Sequence, residues 1–455
     1  MSMQIPQPPG VPLLGNIFDV NPNNTWDSLN KLAAKWAPIF KIKALGTQIV
    51  FIGNVTLLEE VCDERRFRKC VTGPIVEIRY AVHDSLFTAY DNEASWGIAH
   101  RIMAPLLTEQ ANEMVFDSLI DTMSELVRKW TSGADKRVSV TNDLDRLNVE
   151  SCLACFFDQR RHSLEGPNPP MIPAMEGATT EAMKRPNRPR ILNWLLQRRF
   201  VSDTKTMRDF AAEIVAYRVG NPTEKKDMLH ALLHGTDPQT GASLTESQVI
   251  DEIISIFIGS ATAPNLISYA LYYLLKNPEE FAKGRAEIDR VVAPGERLTY
   301  AHLSQLPYCE AIVRETLRLS STAPGFNLEP IPSESKAPVL LAGGTYEIPH
   351  DQVMVVVLSA VNRDPEYFPE PEAFRPERMV GENYERLPSA CRKGFGNGKR
   401  ECIGKRYAWQ WSLVTLVTIL RCVDIELADS AYQLHINGAF SIKPLDFYAL
   451  VNPRK

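Results

Sequence analysis

The chain has 455 residues, of which 44% are hydrophobic and 23% charged, ample for a large buried core. Its formal net charge of −5 argues against a nucleic-acid binder, which would carry a basic excess. The eight cysteines lack the spacing of a disulfide framework, which suits a reducing compartment.

The N-terminal stretch Met1–Gly10 is proline-rich and polar, unlike a signal peptide or a membrane anchor. No run of eighteen apolar residues occurs, so no transmembrane helix is predicted. Phe40–Ile52 alternates and breaks at Gly46, which predicts a β-hairpin. From about residue 55 to 290 helical periodicity dominates, interrupted by turns such as Glu165–Pro170 and Gly235–Gly241. Within that stretch Trp96 and His100 stand one helical turn apart, an aromatic donor and an imidazole on one face. Cys152 and Cys155 form a C-x-x-C in apolar surroundings, which predicts buried helix residues rather than a redox pair. The basic run Lys184–Arg190 reads as a solvated face.

Asp251–Asn277 reads as one long helix, in which Pro264 removes a backbone donor and predicts a kink. Pro307–Leu319 reads as a helix with Glu315 and Arg318 at i, i+3 on one face. Strands return near 338–357, followed by a proline-rich segment through Pro376. A helix of roughly Ile403–Cys422 and strand-like segments near 434–450 close the chain. The reading is a mostly α fold with small β-sheets, a single domain over residues 1–455.

The stretch Phe395-Gly-Asn-Gly-Lys-Arg-Glu-Cys-Ile-Gly404 carries the sharpest chemical signal. Cys402 lies in a glycine-rich loop directly before a helix, whose free N–H groups and positive dipole end stabilise an anionic sulfur. A thiolate in this setting is suited to bind haem iron. Gly398 permits backbone angles closed to other residues, and Gly404 lets the helix approach a planar group. Arg400 can reach an anionic edge of that group, and Phe395 can cover the sulfur. The competing reading is a buried structural cysteine.

The pattern F-x-x-G-x-R-x-C-x-G around Cys402 resembles the haem loop of the cytochrome P450 family. The resemblance implies a mostly helical haem-thiolate fold over nearly the whole chain, with haem b held by Cys402. Glu315 and Arg318 match the family's buried E-x-x-R pair, and Arg378 in Phe374-Arg-Pro-Glu-Arg378 matches the arginine that locks it. Trp96 and His100 match a pair that holds a haem propionate, with His100 where many members have arginine. Gly259 and Thr262 match the helix that crosses the haem face, where glycine makes room for O2 and threonine relays protons. The acid of that relay is replaced by Ala261, with Ser260 before it, and the small residue before the glycine is Ile258.

Cys62–Phe67, Asp84–Thr88 and Leu319–Phe326 look like soluble fatty-acid hydroxylases fused to a flavin reductase, especially their fungal relatives. An excised haem domain is therefore expected, soluble and cytoplasmic, with FAD, FMN and NADPH sites on a reductase outside this sequence. Thr47 and Phe51 occupy places where the bacterial member has arginine and tyrosine for a substrate carboxylate. Phe87 matches an aromatic that sits over the haem, and Ala263 is expected to face the substrate. The expected activity is monooxygenation of a lipophilic substrate with O2, of polyketide or terpenoid type, with fatty acids as runner-up. Because Ala261 breaks the relay, a haem-thiolate isomerase or dehydratase is the alternative.

Overall fold

The computed structural model describes residues 3–44, 46–133, 136–335, 337–438 and 440–454. Of the segments singled out above, Met1 and Ser2, Leu45 of the hairpin, Ala439 of the C-terminal stretch and the terminal Lys455 lie outside them. The contacts divide the chain into two compact units, each discontinuous in sequence. The first is Met1–Thr72 with Leu317–Phe374 and Glu382–Cys402; the second is Gly73–Thr316 with Arg375–Gly381 and Ile403–Lys455.

The first unit is built on a five-stranded sheet. Strands β1 (Ile39–Ala44) and β2 (Thr47–Ile52) form the predicted antiparallel hairpin. Strand β3 (Phe67–Lys69) pairs with β4 (Gly325–Pro330), β4 pairs with β5 (Met354–Val357), and β5 runs parallel to β2. The order across the sheet is β1-β2-β5-β4-β3. Helix α1 (Thr25–Trp36) is capped by Asn24, whose side chain accepts from the Asp27 N–H. It buries Leu29 and Ala33 against Phe40, Phe51, Val355 and Val357. Phe40 and Phe51 stack across the hairpin, ring centroids 4.9 Å apart.

The second unit is mostly helical. Its core helix α3 (Val140–Phe157) follows α2 (Ala94–Met103) in the chain and is buried nearly all round, as an interior helix requires. Cys152 and Cys155 are free, buried thiols on it, and burial pushes each up to about 12. After α4 (Met171–Lys184) comes the apolar stretch read as one long helix; it forms two. Helix α5 runs Glu246–Ser260 and α6 runs Thr262–Lys276, broken at Ala261.

The break has a local cause. Pro264 has no N–H to offer the carbonyl four residues back and its ring crowds that carbonyl, so α5 cannot continue into α6. Pro264 sits in the first turn of α6, where its missing N–H costs nothing. The start also differs from expectation: a capping box of Thr245 and Gln248 starts α5 at Glu246, ahead of Asp251.

By length and composition Glu246–Lys276 is apolar enough to cross a membrane, contrary to the count of unbroken apolar runs, but 67% of its most apolar window is buried inside the protein. It is a core element: α6 packs against α3 and against α8 (Lys405–Cys422). Helix α7 spans Pro307–Leu319 as predicted. The C-terminal strands differ from the reading. Tyr448–Pro453 lies between Val423–Leu427 and Arg137–Ser139 in an antiparallel sheet. Residues 434–447 contribute only the isolated bridge Ile436–Pro444 among the described residues.

Candidate haem-thiolate site

In the first unit the Cys402 loop is pinned at several points. The Cys402 N–H donates to the Phe395 carbonyl at 2.8 Å, closing the loop on itself. Asn397 Nδ2 donates to the Cys62 carbonyl at 2.8 Å and Lys393 Nζ to Asn397 Oδ1 at 2.7 Å. Gly398 has φ +59°, and a Cβ there would lie 2.0 Å from the Glu64 carboxyl carbon. Glu64 accepts from the Lys399 N–H at 2.7 Å, so only glycine satisfies both backbone and neighbour. Cys402 is exposed, which departs from a buried structural cysteine. Gly404 is the N-cap of α8.

Lys69, at the end of β3, was missed by sequence reasoning. Burial and the neighbouring Arg400 guanidinium push its ammonium down to about 7. A carboxylate brought to these two basic groups would oppose that depression and hold the Lys69 proton in place. The signal was present: Lys69 follows Phe67 by two along a strand, directly after the matched stretch Cys62–Phe67.

Of the three motif residues, Glu315 and Arg378 form an ion pair. Glu315, fully buried on α7, lies 3.3 Å from Arg378 Nε and accepts the Arg375 N–H at 3.0 Å. Arg318 donates to the carbonyls of Asn362, Pro371 and Ala373 at 2.9, 2.7 and 3.1 Å. It thereby ties α7 to the proline-rich segment.

In the second unit Trp96 and His100 face each other on α2, ring centroids 5.1 Å apart. Arg101 is turned away to a bidentate pair with Asp237 at 2.5 and 2.8 Å, so His100 is the residue beside Trp96. At the α5–α6 break, Thr262 Oγ1 donates to the Gly259 carbonyl at 2.9 Å. Ser260 Oγ donates to the Phe257 carbonyl at 3.1 Å and accepts from Asn148 Nδ2 at 2.9 Å. Both hydroxyls keep lone pairs to accept from water. A Cβ on Gly259 would meet no atom within 4 Å, so open space lies beside it.

Phe87 is half-buried and packs edge-on against Phe440, 5.6 Å between centroids. Its loop is fixed to α5: the Leu86 N–H donates to Glu252 at 2.8 Å, Ser255 Oγ donates to Ser85 Oγ at 2.8 Å, and His83 meets Asp251 at 3.0 Å. Glu252 is buried, and that burial, with Asp251 and Asp84 adding, pushes its carboxyl up to about 8 against the Leu86 bond.

The expected substrate contacts fare unevenly. Phe51 is a core residue, 4% exposed and stacked on Phe40, so it offers no surface to a ligand from solvent. Alternation failed because Val50, Phe51 and Ile52 are all buried where β5 and α1 cover the strand. Thr47 is exposed at the hairpin end, and Ala263 is buried on α6. The basic run is not a free face, since Arg185 pairs with Glu77 at 2.6 Å and Arg188 pairs with Glu181.

Residues 5–450 match the family model described as Cytochrome P450. The chain is 36% identical over 452 residues to a bifunctional cytochrome P450/NADPH–P450 reductase of Aspergillus oryzae, covering 98% of this chain and 41% of that protein. It is 38% identical over 450 residues to the self-sufficient cytochrome P450 monooxygenase CYP505U2 of Exserohilum turcicum, covering 97% and 42%. It is 36% identical over 458 residues to the bifunctional protein ascE of Acremonium egyptiacum, covering 98% and 43%. The chain thus spans less than half the length of these relatives.

Proposed function

The chain belongs to the cytochrome P450 family, and on that premise we propose that it is a haem-thiolate monooxygenase placing one oxygen atom of O2 on a lipophilic substrate. Its electrons would come from a flavin-containing NADPH reductase carrying FAD and FMN, fused or separate. The relatives' names, which join a P450 to an NADPH–P450 reductase, support that partner.

The observation that carries the reading is the donor set around the pinned Cys402 loop. Cys402 offers one soft anionic ligand for iron, and Lys69 with Arg400 offers paired cations for haem carboxylates. These residues fit a haem. Trp96 and His100 keep the propionate role that the resemblance implies. When bound, the haem would supply the iron that binds and activates O2.

The rest is work for this chain's own side chains. Thr262 and Ser260 hold their hydroxyl protons on backbone carbonyls, which fixes their lone pairs for accepting from ordered water at the break. Phe87 with Phe440 presents aromatic surface to an apolar guest. Thr47 brings neither cation nor phenol to the hairpin end, and Phe51 is committed to the core. A bulky neutral lipophile therefore suits the chain better than a free fatty acid.

Two measurements test this. Cys402→Ala should abolish the thiolate-type spectrum of the reduced CO complex; its persistence would reassign the ligand. With NADPH and a flavin reductase, product should carry labelled oxygen from O2. Equal turnover without O2 or NADPH would move the chain to the isomerase class.

A further inference from the structure

A cavity of about 40 Å³ opens in the second unit beside Ala261, at the break between α5 and α6. Ile258, Ala261 and Asn265 form one wall, Asp145 of α3 and Glu176 of α4 another, and Lys443 closes it. Asn437 also lines it. This volume accommodates one or a few waters, not a substrate ring.

Its walls ask for water. Asn265, 3% exposed, has its Oδ1 buried without a hydrogen-bond partner, and Asn437 has its Nδ2 in the same state. One is an acceptor and the other a donor, and water in the cavity suits each. A buried polar group left unpaired is destabilising, so water is favoured there.

The cavity also touches a charge cluster with one proton too few. Lys443 Nζ lies 3.1 Å from Asp145 Oδ2 and 3.1 Å from Glu176 Oε2. Two carboxylates share one ammonium, so with both ionised the cluster would carry an excess negative charge, which a proton held on one carboxylate removes. The Asp145 side chain is 12% exposed and that of Glu176 is 42%. Burial pushes the Asp145 carboxyl up, with Glu176 adding and Lys443 opposing. Glu176 is the more open of the two and reaches solvent.

Helix α3 also reaches the break itself. Asn148, one turn beyond Asp145, donates to Ser260 Oγ at 2.9 Å. The methyl of Ala261 leaves room for water where a longer acidic side chain would stand. An acid at 261 would meet two carboxylates already sharing one ammonium.

We propose that Asp145, through water held in this cavity, delivers protons to the α5–α6 break in place of a carboxylate at position 261. The inference rests on the monooxygenase reading, in which O2, substrate, two electrons and two protons give alcohol and water. The reductase supplies the electrons. In each delivery the Asp145 O–H bond breaks as a new O–H forms on the cavity water, which passes one of its own protons toward Thr262. Asp145 then regains a proton from solvent on the open, Glu176 side of the cluster, and no residue changes oxidation state.

The test is Asp145→Asn in the haem-loaded chain with a flavin NADPH reductase, using dodecanol and dodecanoic acid as probes. Product per NADPH should fall roughly tenfold or more, hydrogen peroxide should rise, and the solvent isotope effect should grow. The reduced-CO spectrum should stay thiolate-type. Moving the acid back, in Asp145→Asn with Ala261→Glu, should restore coupling. Should Asp145→Asn fail to fold, Ala261→Leu fills the cavity and should uncouple in the same way. Independently of turnover, the resting protein should show an infrared band of a protonated carboxyl that Asp145→Asn removes. Unchanged coupling with an unchanged isotope effect, or the absence of that band, overturns the inference. A parent chain that makes no O2-derived product sinks the monooxygenase reading instead, and the infrared measurement still judges Asp145.

Discussion

Gly398→Ala should loosen the Cys402 loop by two separable effects. The first is backbone strain: φ at 398 is +59°, and the left-handed region costs a residue with a Cβ about 1–2 kcal/mol. The second is steric, because the new Cβ lands 2.0 Å from the Glu64 carboxyl carbon. Glu64 ends a flexible, exposed side chain, so it would swing away rather than hold the loop open. In leaving it would forfeit the 2.7 Å bond from the Lys399 N–H. A hydrogen bond to a charged group contributes about 1.5–3 kcal/mol, and exposure brings this one down to about 1 kcal/mol. Gly398→Ala should therefore cost about 2–3 kcal/mol and Glu64→Ala about 1 kcal/mol. In the Glu64→Ala background the glycine change should cost only the strain, leaving about 1 kcal/mol of coupling. Urea unfolding of the haem-loaded chain, followed by haem absorbance and by the reduced-CO spectrum, measures all four corners. An equal cost of Gly398→Ala in both backgrounds would refute the steric argument; no cost in either would refute both.

Glu315→Ala should break a buried ion pair with Arg378, at about 3–5 kcal/mol, read as loss of folded protein in urea titration. Lys69→Met should speed haem loss to an acceptor such as apomyoglobin several-fold, and Arg400→Met likewise, since each removes one of the paired cations; retention equal to the parent would dismiss the pair. Glu252→Gln tests pH linkage. The Glu252 carboxyl is raised by burial to about 8 from its ordinary 4.5, so the fold favours its neutral form. That advantage is present below about 4.5 and is lost as pH rises through about 8. The glutamine variant, which keeps an acceptor for the Leu86 N–H, should gain thermal stability over the parent as pH climbs from 5 to 8 and level off beyond; a pH-independent difference would contradict the assignment.

What could be read from the sequence was local. The Cys402 loop and the Glu315, Arg318 and Arg378 set are carried by short motifs whose glycines and charges have fixed spacing. The hairpin was legible from alternation around Gly46. What could not be read depends on partners distant in the chain. Lys69 and Arg400 acquire meaning only when brought together. Asp145 carries no sequence signal of its own, and its setting comes from Lys443 and Glu176, distant in the chain. Phe51 faces the core because α1 and β5 cover it, a fact of packing that period-two alternation does not contain. Pro264 announced a disturbance in the long helix, but its position, three residues earlier at Ala261, was set by the ring's demands on the preceding turn.

The main sheet places a burden on synthesis. Gln48, on β2, hydrogen-bonds to Gln352, 304 residues later, in the segment leading into β5. At ribosomal speeds of about 5–20 residues per second, β2 waits roughly 15–60 seconds for its parallel neighbour to emerge. Throughout that interval the early hairpin presents Val50, Phe51 and Ile52 with an open edge, the kind of template that recruits foreign strands. Expression yield should therefore depend on how the cell shelters the nascent hairpin.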